Sequence, residues 1–120
     1  MNGSHLDLAQ YAALEPAWFG YLEVLELSQV VDPEKWSGLT LKIRLRSSGV
    51  TDSPCLCLEF HEVQELRVGP LQGLSFYCVE VRSAAAMQLE GRNFHVVEND
   101  HNAFSFFCRN YLATGTGGKG

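Results

Sequence analysis

The sequence predicts a mainly β (α+β) domain, an antiparallel sheet curled into a sandwich or partial barrel behind a short N-terminal helix. Three observations carry this. Leu39, Leu41, Ile43 and Leu45 alternate with Thr40, Lys42, Arg44 and Arg46, the period of a strand half buried on one face. Turn chemistry at Gly69-Pro70, Glu90-Gly91 and Asn99-Asp100 divides the later apolar runs into short strands. Crossover helices, which parallel strands require, are missing between those runs.

The elements follow in order. Ser4 and Asp7 with Leu6, Ala9, Ala13 and Leu14 at spacings of three and four predict a capped helix of two or three turns ending before Pro16. Trp18, Phe19 and Tyr21 are bulky and close together, and are expected to plug that helix against the sheet. Tyr21 to Val31 fits neither a period of 2 nor one of 3.6, and reads as a strand with a bulge. Asp32-Pro33-Glu34-Lys35 is a turn. After the strand of Leu39 to Arg46 and a polar loop through Pro54, Cys55 to His61 alternates again, with Leu56, Leu58 and Phe60 inward.

The phase then slips, since Val63, Leu66 and Val68 cannot all continue that of Phe60, which predicts a bulge or bend near His61-Glu62. Gly69-Pro70 ends the strand. Leu74 to Arg82 is apolar on both parities and reads as a central strand covered on both faces. Met87 to Leu89, Arg92 to Glu98 and Ala103 to Cys108 complete a meander of hairpins. Residues 1–113 are expected to form one domain, and 114–120, with glycine at 115, 117, 118 and 120, a flexible tail.

Composition narrows the function classes. The chain has 120 residues, 46% of them hydrophobic and 19% charged, enough apolar material for one core. A net charge of −5 opposes nucleic-acid binding, which relies on Lys and Arg, and favours a cationic partner. A signal-peptide pattern and an apolar run of membrane-spanning length are both lacking, so the expected setting is the cytoplasm, without membrane contact and with the four cysteines as free thiols.

Candidate chemistry falls into four groups. Cys55, Cys57, Glu59 and His61 share one strand parity about 7 Å apart, a row too spread for the tight Cys-x-x-Cys geometry that zinc sites favour, so Cys55, Cys57 and His61 are only weak metal candidates. Cys78 and Cys108 lie among apolar residues that raise a thiol's pKa, and read as buried and inert. His95, Glu98, Asp100 and His101 crowd the Asn99-Asp100 turn, where acid–base groups could gather but polar residues are common anyway. Lys42, Arg44 and Arg46 form a cationic row able to grip an acidic group, or to pair with Glu23, Glu26, Glu59 or Glu80 on neighbouring strands. No motif specifies a reaction or a cofactor, so no catalytic residue is assigned. The Gly-rich C-terminus lacks the spacing and the Ser or Thr of a phosphate loop.

Leu58-Glu59-Phe60-His61-Glu62-Val63-Gln64-Glu65-Leu66, Leu89-Glu90-Gly91-Arg92-Asn93-Phe94-His95-Val96 and Ser105-Phe106-Phe107-Cys108 resemble segments of small bacterial β-rich proteins, some of them immunity proteins that neutralise polymorphic toxins. The likeness covers roughly residues 55 to 108. It implies a non-enzymatic protein that binds and blocks a partner, with no catalytic residues to carry across.

The residues and the resemblance together favour a protein-binding module meeting a basic partner protein, with Lys42, Arg44, Arg46, His95, Glu98, Asp100 and His101 as binding-surface candidates. A small-molecule carrier with an apolar pocket inside the curled sheet is the alternative, and an enzyme using His95, His101 or the Cys55/Cys57 row comes third. An exposed edge strand could also pair with a second copy to give a homodimer.

Overall fold

Strand β3, Cys55–Val68, is the spine of the molecule. The computed structural model describes residues 8–29, 38–50, 52–71, 76–84 and 92–116. Expectations for Ser4 to Asp7, Val30 to Lys35, Leu74, Ala85 to Gly91 and the last four residues lie outside them. Before β3 come helix α1 (Leu8–Ala13), a 3-10 turn (Pro16–Trp18), β1 (Tyr21–Gln29) and β2 (Leu39–Arg46). After it come β4 (Val79–Ser83), β5 (Phe94–Glu98), β6 (Phe104–Cys108) and β7 (Asn110–Thr116).

All pairings are antiparallel, in one seven-stranded sheet of order β1-β2-β3-β6-β5-β4, with β7 also on β3. The N-terminal half of β3 lies between β2 and β7, and its C-terminal half pairs with β6. Only Arg109 separates β6 from β7, and its N–H donates to the His61 carbonyl at 3.1 Å, so β6 and β7 together run the length of β3. The sheet does not close into a barrel, although an isolated bridge between Tyr21 and Phe76 links β1 to the segment leading into β4.

Bulges make the bend. Thr40 pairs with His61 and Leu39 with Val63, which leaves Glu62 as an extra residue at the slip read from the sequence. Glu65 lies within a second slip, and both glutamates take a left-handed φ of 55°. An inserted residue bends its strand and sharpens its twist. The bulge expected in β1 falls between Leu22 and Val24 and sets Glu23 apart from the pairing.

Beyond the bend, the inward residues of both halves meet. Leu41, Ile43, Leu45, Leu56, Leu58 and Phe60 from one half pack with Val96, Phe106 and Cys108 from the other, all of them buried. Rings bind the halves together, with Phe60 and Phe106 edge to face at 4.9 Å and Phe94 against Tyr111 at 5.0 Å. Tyr11 of α1 joins this core, its ring 5.9 Å from Tyr111 and its hydroxyl donating to the Val79 carbonyl at 2.9 Å.

Four expectations are corrected. Tyr11 is the buried residue of α1, with Leu8 and, just past the helix, Leu14 partly buried beside the core, while Ala9 and Ala13 stay exposed, because the larger side chains bury more apolar area. Of the aromatic plug only Phe19 is fully buried, while Trp18, at the end of the 3-10 turn, is 61% exposed. The strand expected at the centre lies at the end of the strand order; Phe76 and Cys78, whose apolarity suggested cover on both faces, precede β4. Thr114 to Thr116, assigned from glycine content to a tail, belong to β7 and pair with Cys57 to Cys55.

Candidate functional site

Three sets of candidate residues occupy three different places. Lys42, Arg44 and Arg46 project from the outer face of β2, opposite Leu41, Ile43 and Leu45. The bulge residue Glu23 takes two of them, with Arg46 Nε 2.9 Å and Arg44 Nη1 3.5 Å from the same carboxylate oxygen. The hydrogen bond from Arg46, aided by the charge of Arg44, holds the Glu23 carboxyl below its ordinary range. Register places Lys42 between Glu26 and Glu59. Glu23 thus pairs with the two arginines of the row, and Lys42 has a glutamate beside it on each neighbouring strand.

The thiols and His61 emerge beside the row. Cys55 and Cys57 stand with their sulfurs 4.0 Å apart. His61 has Nδ1 hydrogen-bonded to Asn110 at 3.0 Å and Nε2 to the Glu59 carboxylate at 2.8 Å. Among the described residues no group of three or more His, Cys, Asp or Glu is gathered to hold a metal.

Cys108 is fully buried and burial pushes its thiol up to about 12. Cys78 is only half-buried, a correction to its expected place in the core. Cys108 is expected to resist a maleimide in the native protein and to react only on denaturation, which peptide mass mapping reads directly; labelling at the rate of Cys57 would contradict its burial.

The Asn99-Asp100 turn holds a less expected arrangement. Glu98, read as a surface candidate, is only 1% exposed. It falls in phase with Val96 on the inner face of β5. One carboxylate oxygen accepts the backbone N–H groups of Cys78 and Asp100, both at 2.9 Å, and the other those of His101 at 2.7 Å and Ala103 at 3.0 Å. Burial alone would raise its pKa, but the four N–H donors outweigh that and hold the carboxyl below its ordinary range. Glu98 is therefore a buried anion that fixes the turn, which departs from the solvated turn the sequence suggested.

Asp100 and His101 stay exposed. His101 donates from Nε2 to the Phe76 carbonyl at 3.0 Å and packs its ring on Tyr77. His95 lies apart, on the outer face, stacked on Phe107 at 4.4 Å; the Arg92 guanidinium lies 5.1 Å from the same ring. The turn thus gathers Glu98, Asp100 and His101 but leaves out His95.

Comparison with known families decides what this scaffold is. A family described as Immunity protein PIM8 matches residues 5–114. The chain belongs to that family. The match takes in all seven strands apart from the last two residues of β7, and extends well beyond the stretch of 55 to 108 that carries the resemblance in the sequence. No curated protein and no solved structure gives a significant match.

Proposed function

We propose that this PIM8 immunity protein binds a basic toxin domain one to one and blocks it by occupying its surface, without catalysis of its own. Membership of the family is the observation that carries the reading. The net charge of −5 supports a basic partner, because opposite charge speeds diffusional encounter and disfavours wrong partners. The fold suits such a role, since a bent sheet with a core of interlocked rings presents side chains on rigid strands and so reduces the ordering cost of association.

Titration of the protein against a purified toxin domain, chosen from the products of neighbouring genes, tests the charge element. Affinity is expected to weaken by about tenfold between about 0.05 M and about 0.5 M salt, mostly through a slower association rate. A salt-independent complex would remove the basic partner and leave the binding module.

A further inference from the structure

We infer that the protein docks its partner through the end of the molecule built on the 99–102 turn, and that the partner meets it with a basic, partly apolar protein surface. This deepens the immunity-type reading and rests on it.

Several exposed apolar side chains lie at this end. Besides Val50 at 64%, Trp18 at 61% and Leu27 at 49%, the exposed large hydrophobics among the described residues are Val68 at 47%, Leu71 at 42% and Phe76 at 39%. Strand pairing and hydrogen bonds set the segments that carry these last three on either side of the turn. Val68 pairs with Phe104, and the Gly69 N–H donates to the Ala103 carbonyl at 2.7 Å, which brings the 68–71 segment along one side. Asn99 N–H donates to the Cys78 carbonyl at 2.9 Å and the His101 ring Nε2 to that of Phe76, which holds the 76–78 segment along the other. A groove lined in part by Val68, Gly69, Val97, Asn102 and Phe104 opens here. Trp18, also exposed, lies only two residues from Gly20, whose carbonyl accepts the Tyr77 N–H, so its Cα is within about 7 Å of that contact. Aromatic and apolar side chains left open on rigid backbone are the usual anchors of protein interfaces.

Charge selects the occupant. Glu98 accepts the Cys78 N–H at 2.9 Å, and after burial itself the charges of Asp100, Glu98 and Glu80 push the Cys78 thiol up, the sign of a locally negative field. Arg82 is held by Glu80, which also accepts from Asn99, and Arg67 stands at the rim of the groove. Glu98 cannot move to meet a ligand, because its four N–H partners fix it; its part is to hold the turn rigid and to add negative potential beneath it. Asp100 is exposed and able to pair with a lysine or arginine of the partner.

The test is calorimetric titration of the toxin domain with the full chain and with D100K, L71A, F76A and, as a control at an exposed position of β1 in the other half, S28A. D100K and at least one of the two alanine variants are expected to lose tenfold or more in affinity with thermal unfolding of D100K and L71A unchanged, while S28A stays within about twofold of wild type. D100K and L71A are exposed changes, so they report on docking even if loss of the Phe76 ring from Tyr21 loosens F76A. Wild-type affinity in all the variants would overturn the docking surface and leave the immunity reading standing. No complex with the unmodified chain would overturn both.

Discussion

Replacing Glu98 by glutamine is expected to destabilise the fold by about 2–4 kcal/mol, measured by urea unfolding at neutral pH. The amide keeps the shape but turns one acceptor oxygen into a donor. Either orientation then faces two backbone N–H groups with a third donor, Cys78 and Asp100 in one case, His101 and Ala103 in the other. Each buried N–H left unmatched costs about 1–3 kcal/mol. The same carboxylate sets an acid limit. Its folded pKa is depressed, so its contribution is present above the unfolded glutamate pKa of about 4.3 and is lost as pH falls through the lower folded value. Wild type should therefore lose its advantage over E98Q below about pH 4. An unchanged difference between the two proteins down to pH 2 would contradict the buried anion.

Replacing Phe60 by alanine should cost about 3–5 kcal/mol, the range for deleting a buried aromatic ring. Phe60 is fully buried on the inner face of β3, two residues before the Glu62 bulge. Its ring touches Phe106 beyond the bend at 4.9 Å and stacks with Tyr111 of β7 at 5.8 Å. Neighbours on a bent, paired backbone cannot collapse into the space, so most of the cavity term remains. Against a typical total stability of about 5–15 kcal/mol, this change alone should remove a large share and lower the urea midpoint accordingly. A loss below about 1 kcal/mol would mean that the two half-sheets are not joined through this ring.

Much of this frame is legible in the sequence where burial is one-sided. The alternation in β2 and in Cys55 to Phe60 shows which residues face inward, because a one-residue slip would expose the whole apolar set. Broken phase marks the bulges at Glu23 and Glu62, and Gly69-Pro70 and Asn99-Asp100 mark the ends of β3 and β5. What escaped depends on distant partners. Ala113 and Gly115 have little strand propensity of their own, and β7 extends through them because β3 offers an edge to pair with. The burial of Glu98 had a signal in its phase with Val96, but a glutamate beside a turn is ordinarily solvated, and the four N–H donors that reverse this come together only in the fold. The exposure of Val68, Leu71 and Phe76 had no signal, since local pattern does not tell an apolar residue left open from one in the core.

Stoichiometric inhibition tests the central claim most directly, with the activity of the purified toxin domain measured as this chain is added in increasing molar ratio. Blocking by occupation predicts a linear fall that reaches zero at one equivalent. Full inactivation by a small fraction of an equivalent would reveal a catalytic mechanism, and undiminished toxin activity at a large excess would show that this chain does not neutralise it.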